Sequence, residues 1–462
     1  MRDRLGEEKV GKLLLQFAVP SVISMLVSAL YNIVDQIFIG NGIGINGNAA
    51  TNVAFPLTTL CTSLALLFGI GGASNFNLCM GAQDYRKAGK YVGNAVFLLL
   101  SSGIILCVGV RIFLNPLMLL FGATPDTLDY ALEYTGITSF GFPFLILSTG
   151  GSALVRADGS PKFSMACMLS GAIINTIFDP LFIFGFHWGM AGAAWATVLG
   201  QIVSGCMVLW YLLRFRSVQL EKSCFVPKLR YCLRVAALGT SNCFNQIAMM
   251  VVQIVMNNTM TYYGALSIYG QEIPLACSGI INKVNMIAFS LVIGISQGLQ
   301  PITSFNYGAK KYGRVWSSYR LAVTAGTVIS ILSFLCFQLF PRQIISLFGS
   351  GSEAYFAFAE RYFRVFLFFT FINGIQPITS NFFTAMGKAP KGILMALTRQ
   401  VIFLLPLLVI LPIFWGLDGV MYAGPISDGA AALLAILLVV RERKKLLSME
   451  KEQNLQKTAE NQ

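Results

Sequence analysis

The chain has 462 residues, 55% of them hydrophobic and only 11% charged, with a formal net charge of +13. A soluble globular chain carries about 25% charged residues, so this apolar excess excludes an ordinary aqueous domain and points to lipid as the solvent. The basic residues lie in short loops on one side of the apolar runs, which argues against nucleic acid as a partner.

Apolar runs of about 20 residues cross a bilayer core as helices, whereas open strands leave their backbone groups unpaired there. In chain order the runs predict twelve crossings, at 13–40, 49–77, 91–115, 131–155, 163–185, 190–214, 231–260, 274–303, 316–340, 357–385, 392–414 and 418–440. The first run is too long for a signal-peptide core and lacks a small-residue cleavage site, so it reads as a retained helix. The segments on the N-terminal side of the membrane hold nearly all of the cationic residues: Arg2, Arg4, Lys9 and Lys12; Arg86, Lys87 and Lys90; Arg156 and Lys162; Arg214 to Arg234; Lys310 to Arg320; Lys388, Lys391 and Arg399; and Arg441 to Lys457. The positive-inside rule then predicts a multi-pass protein of the cell membrane with both termini in the cytoplasm.

Catalytic chemistry finds no support. The ten cysteines never form Cys-x-x-Cys and read as small buried hydrophobes. The single histidine, His187, stands beside Trp188 in an outer turn, where it reads as an interfacial anchor. No Gly-x4-Gly-Lys-Ser/Thr motif is present to hold ATP phosphates. The reading is a non-enzyme without cofactor.

Displacing the sequence on itself by 227 residues aligns Gly71 with Gly298, Gly81-Ala82 with Gly308-Ala309, Tyr85 with Tyr312, Leu120-Phe121-Gly122 with Leu347-Phe348-Gly349, Trp188-Gly189 with Trp415-Gly416, and Gly192 with Gly419. Each unit holds an even number of helices, so the two are parallel repeats about an axis along the membrane normal, with a central cleft between them. The expected organisation is a six-helix lobe at 1–214, a cytoplasmic linker at 215–234 acting as a tether, a second six-helix lobe at 235–445 and a disordered tail at 446–462.

An ionisable residue in a membrane helix asks for a function. Asp35, Asp179, Lys283 and Asp428 are the candidates. With a rise of about 1.5 Å per residue, Asp35 and Asp179 lie about 8 Å inside the outer boundary, Thr197 about 10 Å and Asn175 about 14 Å. These four share one layer. They offer hard oxygen ligands for Na⁺ or a carboxylate pair for a proton, or else polar contacts between helices. Lys283 and Asp428 could pair across the second half, either as part of transport or as a packing ion pair.

The run Tyr31-Asn32-Ile33-Val34-Asp35-Gln36-Ile37-Phe38-Ile39-Gly40, the segment Arg156-Ala157-Asp158-Gly159-Ser160-Pro161 and above all Asn175-Thr176-Ile177-Phe178-Asp179-Pro180 followed by Gly189 to Thr197 carry a signature. Over nearly its whole length the chain resembles the multidrug and toxic compound extrusion (MATE) transporters. The resemblance implies an antiporter of small amphipathic, often cationic drugs or toxic metabolites against H⁺ or Na⁺. It implies a cation site at Asp35, Asn175, Asp179 and Thr197, with Tyr134 and Met168 as neighbours, and a bend of the first helix at Pro20. A proline inside a helix favours a kink in any case. Some members carry a glutamate in the seventh helix, whereas here that helix offers Asn242, Asn245, Gln246, Gln253 and Asn257 and no acid, which points to the MepA-like bacterial exporters. Gln253, Met256, Met286, Phe369 and Gln376 are the candidates for the substrate cleft, because Met and aromatic side chains repack around varied ligands. The chain is expected to work as a monomer in lipid. A lipid-linked saccharide flippase of related architecture and a non-transporting scaffold are the rival readings.

Overall fold

A computed structural model of the chain describes residues 2–270, 272–347 and 353–460. A short helix, α1 (Arg2–Glu7), precedes the first crossing, α2 (Val10–Gly42). The first lobe continues with α3 (Ile45–Gly81), α4 (Tyr85–Ile112), the short α5 (Leu114–Leu120), a fourth crossing made of α6 (Pro125–Thr138) and α7 (Phe142–Ala157), then α8 (Pro161–Pro180) and α9 (Gly189–Leu213). The second lobe repeats this order. It has α10 (Leu229–Ala265), α11 (Glu272–Gly308), α12 (Tyr312–Leu339), the short α13 (Pro341–Ser346), α14 (Glu353–Phe366) with α15 (Ile375–Ala385), α16 (Ala389–Leu397) with α17 (Leu405–Trp415), and α18 (Leu417–Glu460). Among the described residues there is no strand.

Among the described residues, eleven spans are long and apolar enough to cross a membrane. The remaining crossing, expected as one run at 357–385, is divided between α14 and α15 around a 3₁₀ turn at Thr370–Ile372. Pro377 has no N–H to offer the carbonyl of Asn373, and Gly374 adds freedom to the same turn. The fourth crossing breaks in the same way at Ser139–Gly141, just before Pro143. The duplication also extends to backbone conformation. Gln83 and its repeat partner Lys310 both adopt positive φ, 62° and 57°, and Gly189 and Gly416 adopt 56° and 55°. Of the repeated Leu-Phe-Gly turns, Phe348 and Gly349 lie outside the described residues.

Two expectations are corrected. The segment from 446, read as disordered, continues α18 as helix to Glu460, because its Leu, Lys and Glu residues are strong helix formers and Leu446 is buried. Residues 461 and 462 lie outside the described residues. The linker, read as a tether, is sewn to the first lobe. Asn94 accepts the backbone N–H of Lys228 at 2.8 Å and donates to the carbonyl of Cys224 at 3.1 Å. Asp158 accepts from the N–H of Arg216 at 2.9 Å, the N–H of Ser217 at 3.0 Å and the hydroxyl of Tyr211 at 2.8 Å. Burial pushes the Asp158 carboxyl above the usual carboxylate range, and these donors act in the opposite direction.

The lobes meet on the face that carries both termini, which is also the basic face. There α2 lies on α11 and α3 on α10, with glycines at the crossings. A Cβ on Gly81 would strike the carbonyl of Phe305, and one on Gly308 the carbonyl of Leu78. Those two contacts are equivalent under the 227-residue repeat, so the seam is two-fold in its details. Close backbone approach through small residues is the usual way helices associate in lipid, where no hydrophobic force drives them together. Gln300 adds amide hydrogen bonds to Ser74 at 2.8 Å and to the Ile70 carbonyl at 3.2 Å, and Asn75 donates to the Arg234 carbonyl at 3.1 Å.

The N-terminal helix clasps this seam from outside. Asn306 donates to the Leu5 carbonyl at 3.0 Å, Lys311 to that of Gly6 at 3.0 Å, and Arg314 to those of Leu5 at 3.1 Å and Glu8 at 2.6 Å. Toward the opposite face the second lobe keeps a separate core, built around Met256, Ile281, Tyr362 and Leu408. The molecule is therefore closed between its lobes on the basic face.

Overpacking a tight crossing costs about 1–3 kcal/mol. We expect Gly308→Leu to push the seam apart. Spin labels at Lys87 and Ser317, both exposed near the basic face, would then report longer and broader distances than in the parent chain. An unchanged distribution would show that the seam does not depend on this contact.

Candidate cation site in the first lobe

The central pair of helices is α8 and α9. Gly171 and Gly200 face each other so closely that a Cβ on either would meet the other's carbonyl. Asn175 lies one turn beyond Gly171 and Thr197 one turn before Gly200, so this crossing brings them together. The Asn175 amide donates to the Thr197 hydroxyl at 3.2 Å and to Asp179 Oδ1 at 3.2 Å. Pro180 follows Asp179 directly, and the chain then widens into a π-helical turn at Leu181–Gly185. Such turns concentrate at functional sites because they redirect side chains within a helix.

The third wall is α2. Its C-terminal half leans on its own lobe, with Gly42 against Ile183 and Phe184, and with Phe38 edge-on to Phe184 at 6.5 Å. This places the Asp35 carboxyl against that of Asp179. Asp179 is fully buried and Asn175 nearly so. Three oxygens of the cluster, Asp35 Oδ1, Asn175 Oδ1 and Asp179 Oδ2, are buried and have no hydrogen-bond partner. Polar atoms left so are rare in folded proteins and ask for a ligand.

Asp35, Asn175, Asp179 and Thr197 are thus neighbours, on three helices. Tyr134 stands beside Thr197 and both acids. Met168 lies in α8 two turns before Asn175. Tyr31, one turn before Asp35 on the same face of α2, also faces the two acids. It had not been singled out from the sequence, although its i−4 spacing from Asp35 carried the signal. Pro20 lies inside α2 at the seam, between Ala18 and Val22, which pack on Gly298 and Gly294. One helix therefore touches the seam with one half and the acid pair with the other.

The second lobe departs from expectation. Asp428 pairs with Arg399 and not with Lys283. Arg399, counted among the loop residues on sequence, is buried in a π-helical stretch at Thr398–Leu404, well inside its crossing. Lys283 is half-buried in α11, and among the described residues no carboxylate lies within ion-pair distance of it. Two candidates for the cleft are drawn into packing. Met256 is 3% exposed and receives the Tyr362 hydroxyl at its sulfur, and Gln376 is 5% exposed and gives its amide to the Met395 carbonyl. Gln253 donates to Asn257 at 2.8 Å, Phe369 packs on Phe368 and Phe371, and Met286 is exposed.

The MatE family model matches residues 20–181 and 242–410, the greater part of both lobes. The chain belongs to the MatE family. Its relatives include the multidrug export protein MepA of Staphylococcus haemolyticus (strain JCSC1435), 25% identical over 441 residues and covering 95% of each chain. The MepA of Staphylococcus saprophyticus is 26% identical over 442 residues, covering 95% of this chain and 96% of that one. Among solved structures, an outward-facing multidrug resistance MATE transporter of the MOP superfamily superposes with a TM-score of 0.88 at 22% identity, over 97% of this chain and 98% of the other. A MOP superfamily transporter from Pyrococcus furiosus Vc1 (DSM3638) superposes equally well. At that identity the likeness establishes the fold of twelve crossings. The MatE chain is accordingly a membrane transporter rather than an enzyme.

Removing one partner of a buried ion pair costs about 3–5 kcal/mol, because the other charge is left unpaired, whereas replacing both by apolar residues is often neutral. Arg399→Met or Asp428→Leu alone should therefore lower the thermal midpoint in detergent markedly, and the double variant should recover most of the loss. Additive losses would show that the pair does not act as a unit.

Proposed function

We propose that this MatE protein exports small amphipathic compounds, often cationic, by antiport against H⁺ or Na⁺, with its basic face in the cytoplasm and as a monomer. The observation that carries the reading is the cluster of three unpartnered buried oxygens on Asp35, Asn175 and Asp179. Two carboxylates this close repel unless a cation or a proton lies between them. Hard oxygen donors of this kind suit Na⁺ as well as H⁺. The relatives named as multidrug export proteins support the choice of cargo.

The mechanism follows from α2. A cation held between Asp35 and Asp179 binds the outer half of α2 to α8, on its own lobe. The inner half, with Pro20, rests on α11 of the other lobe. Tightening one contact bends the helix at Pro20 and loosens the other, so that the ion favours opening of the basic face. Drug and ion must prefer different states for such coupling, since a ligand without preference shifts nothing.

Asp35→Asn and Asp179→Asn should each reduce dye efflux from proteoliposomes by about tenfold or more, with expression unchanged. Imposing a Na⁺ gradient and a pH gradient separately identifies the ion. Full efflux by both variants under either gradient would sink the assignment.

A further inference from the structure

A cavity of about 700 Å³ opens on the basic face between the first turns of α4 and the linker. Asn94 and Asp158 hold the linker wall by its backbone, as described above, so this wall is part of the folded lobe. Arg216 and Lys228, whose N–H groups are taken up in that way, line the cavity, and Arg86 and Lys90 line it from α4. None of these four cations has a carboxylate within ion-pair distance among the described residues. The contrast with Lys87 is informative. It belongs to the same turn of α4, does not line the cavity, and is neutralised by Asp84 at 2.6 Å.

One acid lines the cavity, Glu221, and its carboxylate is engaged by the Ser223 hydroxyl at 3.1 Å. Lys90 and Arg216 rest on the rings of Tyr231 and Tyr211, at 5.8 Å and 5.6 Å from their centroids, which orients the charges without cancelling them. Positive charge is common on such a face, but here four cations without an ion-pair partner among the described residues converge on one half-open cavity that a single acid lines.

We infer that this cavity binds a phosphate-bearing anion, either the headgroup of an acidic phospholipid or a soluble phosphate ester. Guanidinium forks and ammonium groups together form the usual phosphate-binding set. The volume exceeds that of inorganic phosphate and lies in the range of sites for small organic ligands. Phe215 and Val218 supply an apolar wall for the organic part. Because Lys228 immediately precedes α10, the anion ties α4 of the first lobe to the root of the second.

Native mass spectrometry of the full chain with phosphatidylglycerol and phosphatidylcholine, and calorimetric titration with glycerol 3-phosphate, test the proposal. The parent should retain phosphatidylglycerol over phosphatidylcholine, or bind glycerol 3-phosphate. R86Q/R216Q should weaken that binding by about tenfold, while K444Q/K445Q, with the same change in charge on exposed residues of α18 away from the cavity, should leave it intact. Loss confined to the lipid arm assigns a headgroup, and loss confined to the glycerol 3-phosphate arm assigns a soluble ester. No binding by the parent in either arm, or equal loss in both double variants, overturns the proposal. Matched melting curves of the two variants exclude misfolding as the cause.

Discussion

The backbone contact between lobes on the basic face is the constraint on which the rest of the molecule depends. Gly81 against Phe305 and Gly308 against Leu78 allow two long helix pairs to touch where any side chain would hold them apart. In lipid such contact has no hydrophobic drive behind it, so its strength comes from dispersion and a few amide hydrogen bonds. An interface of that kind holds a closed state and can still be released.

Within this frame the two lobes are alike in path and unlike in charge. Asp428 occupies the repeat position of Gln201, one turn from Thr197, and Pro406 that of Asp179. The second lobe closes Asp428 with Arg399 and its other buried acid, Glu442, with Lys388 and Lys391, so that these charges are satisfied internally. The first lobe leaves its acids facing each other with oxygens unengaged. Duplication supplied the scaffold, and substitution at a few positions decided which half keeps an open charge.

Much of this was legible in the sequence because it rests on local signals. Runs of apolar residues gave the crossings, and recurrent glycines and Trp-Gly turns gave the duplication. Helix rise alone put Asp35, Asn175, Asp179 and Thr197 in one layer. The break between α14 and α15 was hidden because the apolar run continues through it. Arg399 was misplaced because a lone cation near the start of an apolar run reads as a loop residue, and its partner lies 29 positions away. The burial of Met256 and Gln376 depends on which face of each helix meets its neighbours. Hydropathy does not encode that.

The stitching of the linker changes the mechanical picture of the chain. A segment held by Asn94 at one end and Asp158 at the other contributes no slack, although it is the longest connection and looks like a strap. When the lobes turn, this segment travels as cargo of the first lobe. The first turn of α10 is held to α4 as well, with Cys232 donating to Asn94 and Tyr231 packed on Tyr91, so that any turn of the lobes has to be taken up at the glycine crossings, a short axle.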